Sequence, residues 1–526
     1  NALVKRIWEK DATVWKKGPE AQKEIVARLG WLDAPKLMKK KVAELTKFSD
    51  EIKAAGFSHV LLLGMGGSSL APELFANAFG SAEGSPELLV LDSTDPGRVS
   101  DLEKKIDLAK TLFIVSSKSG GTIELMSFYK YFYEKVKAVQ GEKAGQQFVA
   151  VTDPGTPLEE LAKKTGFRKV FLAPEDVGGR FSALTYFGLL PAALIGADVE
   201  KILASAQAAA ASISPETAIS ENTAAVLGVG MAVLAEEGRD KLTIVTSPGL
   251  ESFGDWAEQL VAESSGKEDV GILPVVREKL DAPSVYGNDR FFVAVLSDDA
   301  DNKTVLTKLQ AFQKAGHPVL TLKMKDAYDL GAQFLIWEFA TSVACALLKV
   351  NTFDQPDVQA AKEKAKEILK VVQSGGQLPQ GESKATVESF GEDVEPGDYI
   401  GILAFLPDRE NIRKTLEELQ IEIRKKTKRA VTLGIGPRYL HSTGQLHKGG
   451  PNNGDFILIT AKPSEDVPVP GEKYTFGQLV LAQALGDLEA LEMRGRNCLY
   501  ISLPGTSDAD LASLKETVQR AVASIS

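Results

Sequence analysis

The chain has 526 residues, with 61 Lys plus Arg against 71 Asp plus Glu, so its net charge is −10. Such a length predicts roughly two to four domains. The acidic balance argues against non-specific nucleic-acid binding, yet leaves room for a local positive site that holds a small anion. Cys345 and Cys498 lie in apolar contexts and are expected to be free and buried, as in a reducing cytoplasm. No signal peptide opens the chain, and no apolar run reaches membrane-spanning length. The longest candidate, Phe334–Val350, is interrupted by Glu338 and Lys349 and reads as a core helix. The first residue is Asn1 rather than Met, which predicts an amino end that was trimmed, processed or cut from a longer polypeptide.

Residues 1–50 carry helical patterns with Trp8, Trp15 and Trp31, which read as packing residues. From Phe57 to about Gly196, strands and helices alternate. HVLLLG, ELLVLD, TLFIVSS, FVAVTD and KVFLAP are the strands, and the alternation predicts a parallel, doubly wound α/β sheet. The first strand runs into GMGGSS, Gly64–Ser69, a glycine-rich turn without the Gly-x-Gly-x-x-Gly spacing of a dinucleotide site. The third strand runs into the turn of VSSKSGGTIE, Val115–Glu124, and helical spacing starts at Ile123. Strand, Gly/Ser turn and helix N-terminus together can hold an anion on free N–H groups, the helix dipole and the hydroxyls of Ser117, Ser119 and Thr122. The same residues also read as an ordinary capping turn. Ligands of such sheets sit at the carboxyl ends of the strands, so Gly67 and Ser68 would line the same crevice. After the fifth strand, Gly178 and Gly179 permit a tight approach and present Arg180 ahead of an apolar helix, either as an ion-pair partner or as a ligand clamp.

A second α/β unit follows an alanine-rich helix, Ala204–Ile213, with KLTIVTS, FFVAVLS and HPVLTLKM as strands. Between the first two, Phe253–Lys267 reads as a helix with Trp256, Leu260 and Val261 inward. Gln259 and Glu263 share one face, and Glu263 by itself reads as a solvated helix-end carboxylate. His317, opening a strand, reads as structural. FDQPDVQAAKEKAKE places Gln355 at the start of a charged helix and Lys362 about two turns in. Ser374–Tyr399 is polar and Gly/Pro-rich and reads as a linker. A third unit opens with YIGILAFL and RAVTLGIG as strands. Its basic run Arg424–Arg429 reads as a solvated helix end. Pro437–Asp455 reads as a polar, glycine-rich loop outside the core, and it holds two of the four histidines, His441 and His447. The repeated rhythm of strand, Gly/Ser/Pro turn and helix suggests repeated α/β units. The expected division is a helical segment at 1–50, α/β units at 51–203 and 204–373, a linker at 374–398 and a smaller third unit at 399–526.

GMGGSS, SSKSGGT, DVGGRFS, Q-x-x-x-ESSGK and FDQPDVQAAK, in this order between about residues 50 and 375, resemble the glucose-6-phosphate isomerase (phosphoglucose isomerase) family. The amino-terminal helices and the extra third unit look most like the isomerase part of transaldolase–phosphoglucose isomerase fusion proteins. The resemblance implies two sugar-isomerase (SIS) domains plus the third unit, acting on glucose 6-phosphate and fructose 6-phosphate in the cytoplasm, with no metal or organic cofactor. It implies a sugar-phosphate partner rather than nucleic acid or membrane, and a monomer or homodimer. By motif, Ser117, Lys118, Ser119 and Thr122 would bind phosphate, and Gly67 and Ser68 the sugar. Gly179 and Arg180 would face the reacting carbons, Gln259 would contact the substrate, and Glu263 would be the base. Gln355 and Lys362 would supply the FDQ-motif roles. Ser265 and Asp357 depart from the family pattern. Its ring-opening histidine has no counterpart within residues 264–350, so the third unit is expected to supply it through His441, with His447 as second choice. The remaining alternatives are a non-catalytic sugar-phosphate-binding regulator and an isomerase of another phosphosugar.

Overall fold

The computed structural model describes residues 1–525. Three parallel sheets carry the chain. The first holds β1 (His59–Leu63), β2 (Glu87–Leu91), β3 (Thr111–Ser116), β4 (Phe148–Thr152) and β5 (Lys169–Leu172), in the order β2-β1-β3-β4-β5. The second holds β6 (Lys241–Thr246), β7 (Leu273–Val275), β8 (Arg290–Ser297) and β9 (Val319–Met324), in the order β7-β6-β8-β9. The third holds β10 (Tyr399–Phe405), β11 (Val431–Ile435), β12 (Gly454–Ala461) and β13 (Asn497–Leu503), in the order β11-β10-β12-β13. All three share one winding, in which the unit's first strand lies between its second and third. The central strands are buried on both faces, which is why they read as unbroken apolar runs. Register in the first sheet pairs Leu63 with Leu91 on one side and with Val115 on the other, so the turns after β1 and β3 leave the sheet side by side.

Eight helices position the site: α1 (Leu70–Phe79), α2 (Ile123–Gln140), α3 (Glu251–Ser265), α4 (Leu330–Leu347), α5 (Val358–Gln373), α6 (Glu410–Thr427), α7 (Gly444–Gly449) and α8 (Phe476–Met493). The amino-terminal tryptophans pack against α4 and its surroundings. Trp8 meets Phe339, Trp15 donates to the Ser342 carbonyl at 2.9 Å, and Trp31 lies against Phe181 and Phe339. Among the described residues one helix, Ala327–Leu347, is long and apolar enough to cross a membrane, and 89% of that stretch is buried within the fold. The third unit docks on the first through α8. Phe476 stacks on Phe128 of α2, and Leu479 and Ala482 join the same apolar cluster.

Three expectations change. The linker segment is not free, because Phe390 is fully buried in the third unit's core. The basic run ending α6 is solvated only at Lys425, Lys426 and Lys428, whereas Arg424 and Arg429 are buried. The Arg424 side chain is fully buried against Glu278 at 3.2 Å and donates to the Lys279 carbonyl, where an ionised partner offsets the cost of removing a guanidinium from water. The Pro437–Asp455 segment is not an exposed loop. A 3₁₀ turn, Arg438–His441, and α7 are built from it, and residues 442–450 are all buried. Contact with the other two units, rather than apolar composition, buries this stretch. Both cysteines are free and buried. His317 lies buried between Phe292 and Phe312, a packing position.

Candidate functional site

The turn after β1 is built for close backbone approach. A Cβ on Gly67 would stand 2.1 Å from the Gly179 carbonyl oxygen, so the Gly64–Ser69 turn and the Arg180 turn fit together only with glycine there. Gly66 adopts φ +55°, and its neighbours are the Gln259 amide and His441. Ser68 is buried beside it.

After β3, Ser117 accepts the Gly120 N–H on its hydroxyl at 3.0 Å and closes the turn. Thr122 is the N-cap position of α2, but no side chain caps the helix, so its first-turn donors are left to whatever enters from outside. In front of them lies a cavity of about 350 Å³, lined among others by Ser119, Thr122, Glu124, Lys362, His441 and Gln483. Lys118 does not line it, and neither do Gly67, Ser68, Ser117, Gly179, Arg180, Gln259 and Glu263. The Lys118 ammonium is held by the Asp153 carboxylate and the Glu175 carbonyl. Gln355 is exposed ahead of α5 and is likewise outside the lining, whereas Lys362 on α5 is half-buried within it.

Arg180 and Glu263 form a buried ion pair at 3.1 Å. The guanidinium also donates to Ser264 Oγ at 2.8 Å and to the carbonyls of Thr352 and Asp354, which fixes its plane. Lys267 is buried beneath it and holds the same segment through the Asn351 and Asp354 carbonyls. Burial, with Arg180 close by, pushes its ammonium below the usual lysine range. The second oxygen of Glu263 accepts from Gln259 Nε2 at 3.0 Å, the i to i+4 contact that the helical spacing predicts. Glu263 is thus enclosed rather than solvated, yet its side chain keeps 9% exposure and is not sealed.

His441 links the two regions. Its carbonyl oxygen accepts from the same Gln259 amide at 2.8 Å, while its ring Nε2 lies 3.0 Å from Glu124 Oε1. Burial alone would raise the Glu124 carboxyl. His441, the Glu124 backbone N–H and Lys362 together outweigh it and hold that carboxyl below its ordinary range. The turn bearing His441 is clamped by Arg438, whose guanidinium pairs with Glu73, with Asp92 at 3.2 Å and with Asp255 at 3.7 Å, and by Ser442 on Glu258 at 3.2 Å. Among such acids, burial pushes Glu258 up to about 8. His447 is elsewhere. It is buried under Tyr399, whose hydroxyl meets its Nδ1 at 2.8 Å, and against Phe456, where burial holds it well below the usual histidine range.

Sequence reasoning did not single out Glu124, Gln483 or Arg438. A carboxylate two residues after Thr122 is at odds with an anion-holding turn unless a cation faces it, and that signal was present at Glu124. Nothing local marks Gln483, which sits mid-helix in α8. The Asp357 departure has a physical counterpart: its carboxylate accepts from Gln445 of α7 at 2.7 Å and also meets Arg494, so this residue ties α5 to the third unit.

The family model described as phosphoglucose isomerase matches residues 34–290. A glucose-6-phosphate isomerase of Prochlorococcus marinus (strain NATL2A) is 30% identical, over 65% of this chain and 75% of that protein. One from Carboxydothermus hydrogenoformans is 28% identical, over 66% of this chain and 89% of that one. Among solved structures, a hypothetical protein from Thermus thermophilus superposes with a TM-score of 0.60 at 26% identity, covering 70% of this chain and 95% of the other. A glucose-6-phosphate isomerase from Chlamydia trachomatis shares the fold, with a TM-score of 0.54 at 20% identity over 69% of this chain and 78% of that one. On the Prochlorococcus match, with the matched model over the first sheet and the opening strands of the second, the chain belongs to the phosphoglucose isomerase family.

Proposed function

We propose that this chain interconverts glucose 6-phosphate and fructose 6-phosphate by ring opening followed by proton transfer between C1 and C2. The observation that carries the reading is the Gln259 amide, which joins two acid–base pairs: it donates to Glu263 Oε2, the carboxylate paired with Arg180, and to the carbonyl of His441, whose ring meets Glu124. Isomerisation needs two such pairs, since the closed hemiacetal must be opened before a carbon acid can be deprotonated.

In this reading the phosphate sits against Ser119, Thr122 and the open N-terminus of α2, and supplies binding energy away from the reacting carbons. Ser117 shapes the turn. Gly67, Ser68 and Gly179 bring backbone close to the sugar. His441, oriented by Glu124, opens the ring with Lys362 nearby in the cavity wall. Glu263 takes the proton from C2 and returns it to C1, and Arg180 stabilises the negative charge that develops on the enediolate without giving up its own proton. Lys118, held by Asp153 and the Glu175 carbonyl, supports the turn after β3. Because His441 reaches Glu124 within one chain, a single copy holds both pairs, and turnover should be proportional to protein concentration under dilution. The test is a coupled assay of glucose 6-phosphate formation from fructose 6-phosphate. Glu263→Gln should lower kcat by about 10³-fold. A wild type that does not turn over, while the sugar phosphate still raises its Tm, would make the chain a sensor and overturn the reading.

A further inference from the structure

We propose that Gln483, together with Thr94, is a positioning residue that sets the tautomer in which His441 meets the substrate. The inference rests on the reading of His441 as the ring-opening group.

Gln483 lies on α8 of the third unit and is buried, as is Thr94 just after β2 of the first. Thr94 Oγ1 donates to Gln483 Oε1 at 2.6 Å, and Gln483 Nε2 donates to Glu124 Oε1 at 2.8 Å. The same Glu124 oxygen faces His441 Nε2 at 3.0 Å. The direction of this chain follows from what each group can offer. An ionised carboxylate only accepts, so the amide must turn its N–H₂ toward Glu124 and its carbonyl toward Thr94, and Thr94 must donate. Because the ionised carboxylate only accepts, His441 Nε2 must also carry hydrogen. A neutral imidazole protonated there keeps its lone pair on Nδ1, and Nδ1 has no protein partner among the described residues.

Without the amide the chain could reverse. Glu124 is buried, and a carboxylate that loses the Gln483 donor is easier to protonate. A protonated Glu124 would donate to His441 Nε2 and move the ring hydrogen to Nδ1, the atom left free for the substrate. Packing does not explain a glutamine at this position. The apolar contacts of α8 with the first unit are made by Phe476, Leu479 and Ala482, and a buried amide costs free energy unless it is bonded at both ends. Facing Glu124 from the packed elements are His441 from the 3₁₀ turn, Lys362 from α5 and the Tyr474 hydroxyl ahead of α8. Gln483 shares Glu124 Oε1 with the histidine.

The test uses the full chain and two readouts. Nitrogen-15 spectra of labelled histidine, with His441 assigned by its absence in His441→Gln, report the tautomer among only four histidines. The pH profile of kcat for fructose 6-phosphate reports the coupled titration of the Glu124–His441 pair. In wild type, neutral His441 should be the Nε2–H form. In Gln483→Leu the Nδ1–H form should appear, and the acid limb of kcat should move up by about one pH unit, a tenfold loss on that limb, with KM little changed. Thr94→Val, which leaves the amide free to turn, should shift both readouts in the same direction by less, and it is the deciding variant if Gln483→Leu does not fold. An unchanged tautomer together with an unchanged acid limb overturns the proposal. Absence of turnover in the wild type would instead remove the functional reading, and the nitrogen-15 spectra would still decide the role of Gln483.

Discussion

The turn between β3 and α2 and the turn between β12 and α8 occupy the same place in two sheets of the same winding, and they end differently. In the first unit the helix starts at Thr122 without a side-chain cap and opens on the cavity. In the third unit Thr475 and Gln478 form a capping box. The Asp466 carboxylate then takes the Gly477 N–H at 2.7 Å and the Thr475 hydroxyl. The donors at a helix N-terminus need an acceptor, and they attract negative charge. One unit supplies the acceptor from its own chain. The other leaves the position for a ligand, and the third unit contributes instead His441 and Gln483 to its neighbour's crevice.

The comparison can be broken at either turn. Of the changes at these turns, His441→Ala should be the most damaging, slowing turnover of ring-closed substrate by about 10²- to 10³-fold and of an open-chain substrate much less. Equal losses on both substrates would assign it to proton transfer rather than ring opening. Gly121→Asp would place in the first turn the kind of carboxylate that closes the third. A Cβ there meets nothing within 4 Å, so the fold should tolerate it. KM should rise by about 10- to 100-fold through repulsion of the phosphate, and an unchanged KM would put the phosphate elsewhere. Asp466→Ala should leave kcat and KM unchanged and lower stability by roughly 1 kcal/mol in urea unfolding, since it removes only a cap.

A pH effect tests the contact between α3 and the turn that bears His441. Glu258 carries a carboxyl raised to about 8 by burial. Its folded form therefore holds a proton that the unfolded chain releases near the ordinary carboxylate range. Stability should fall as pH rises from about 4.5 to about 8 and then level, and Glu258→Gln should flatten that slope. Parallel slopes for the two proteins would show that Glu258 is paired more strongly than its surroundings indicate.

Much of the site was legible locally. The Gly/Ser turns, Arg180 after two glycines, and Gln259 four residues before Glu263 are short-range patterns in which chemistry and backbone geometry lie within one element. The same logic failed where burial came from another unit. Residues 437–450 are polar and rich in glycine, which locally predicts exposure. Arg438 finds its carboxylates on Glu73, Asp92 and Asp255, all far away in sequence. Arg424 was misread for the same reason, its partner being Glu278. Lys118 lies in the motif, but Asp153 competes for it at the end of the neighbouring strand.

The sequence by itself determined the parallel α/β architecture, because unbroken apolar strands alternating with helices can bury both faces only in that arrangement, and it determined the residue types around the strand ends. Only the tertiary structure decided between His441 and His447. The two share one turn-rich segment six residues apart, and the choice rests on which ring is directed at Glu124 and which is enclosed under Tyr399. It also decided the roles of Glu124 and Gln483. A hydrogen-bonded chain assembled from separate units has no local pattern, since its direction is set by donors and acceptors that meet only when the units pack.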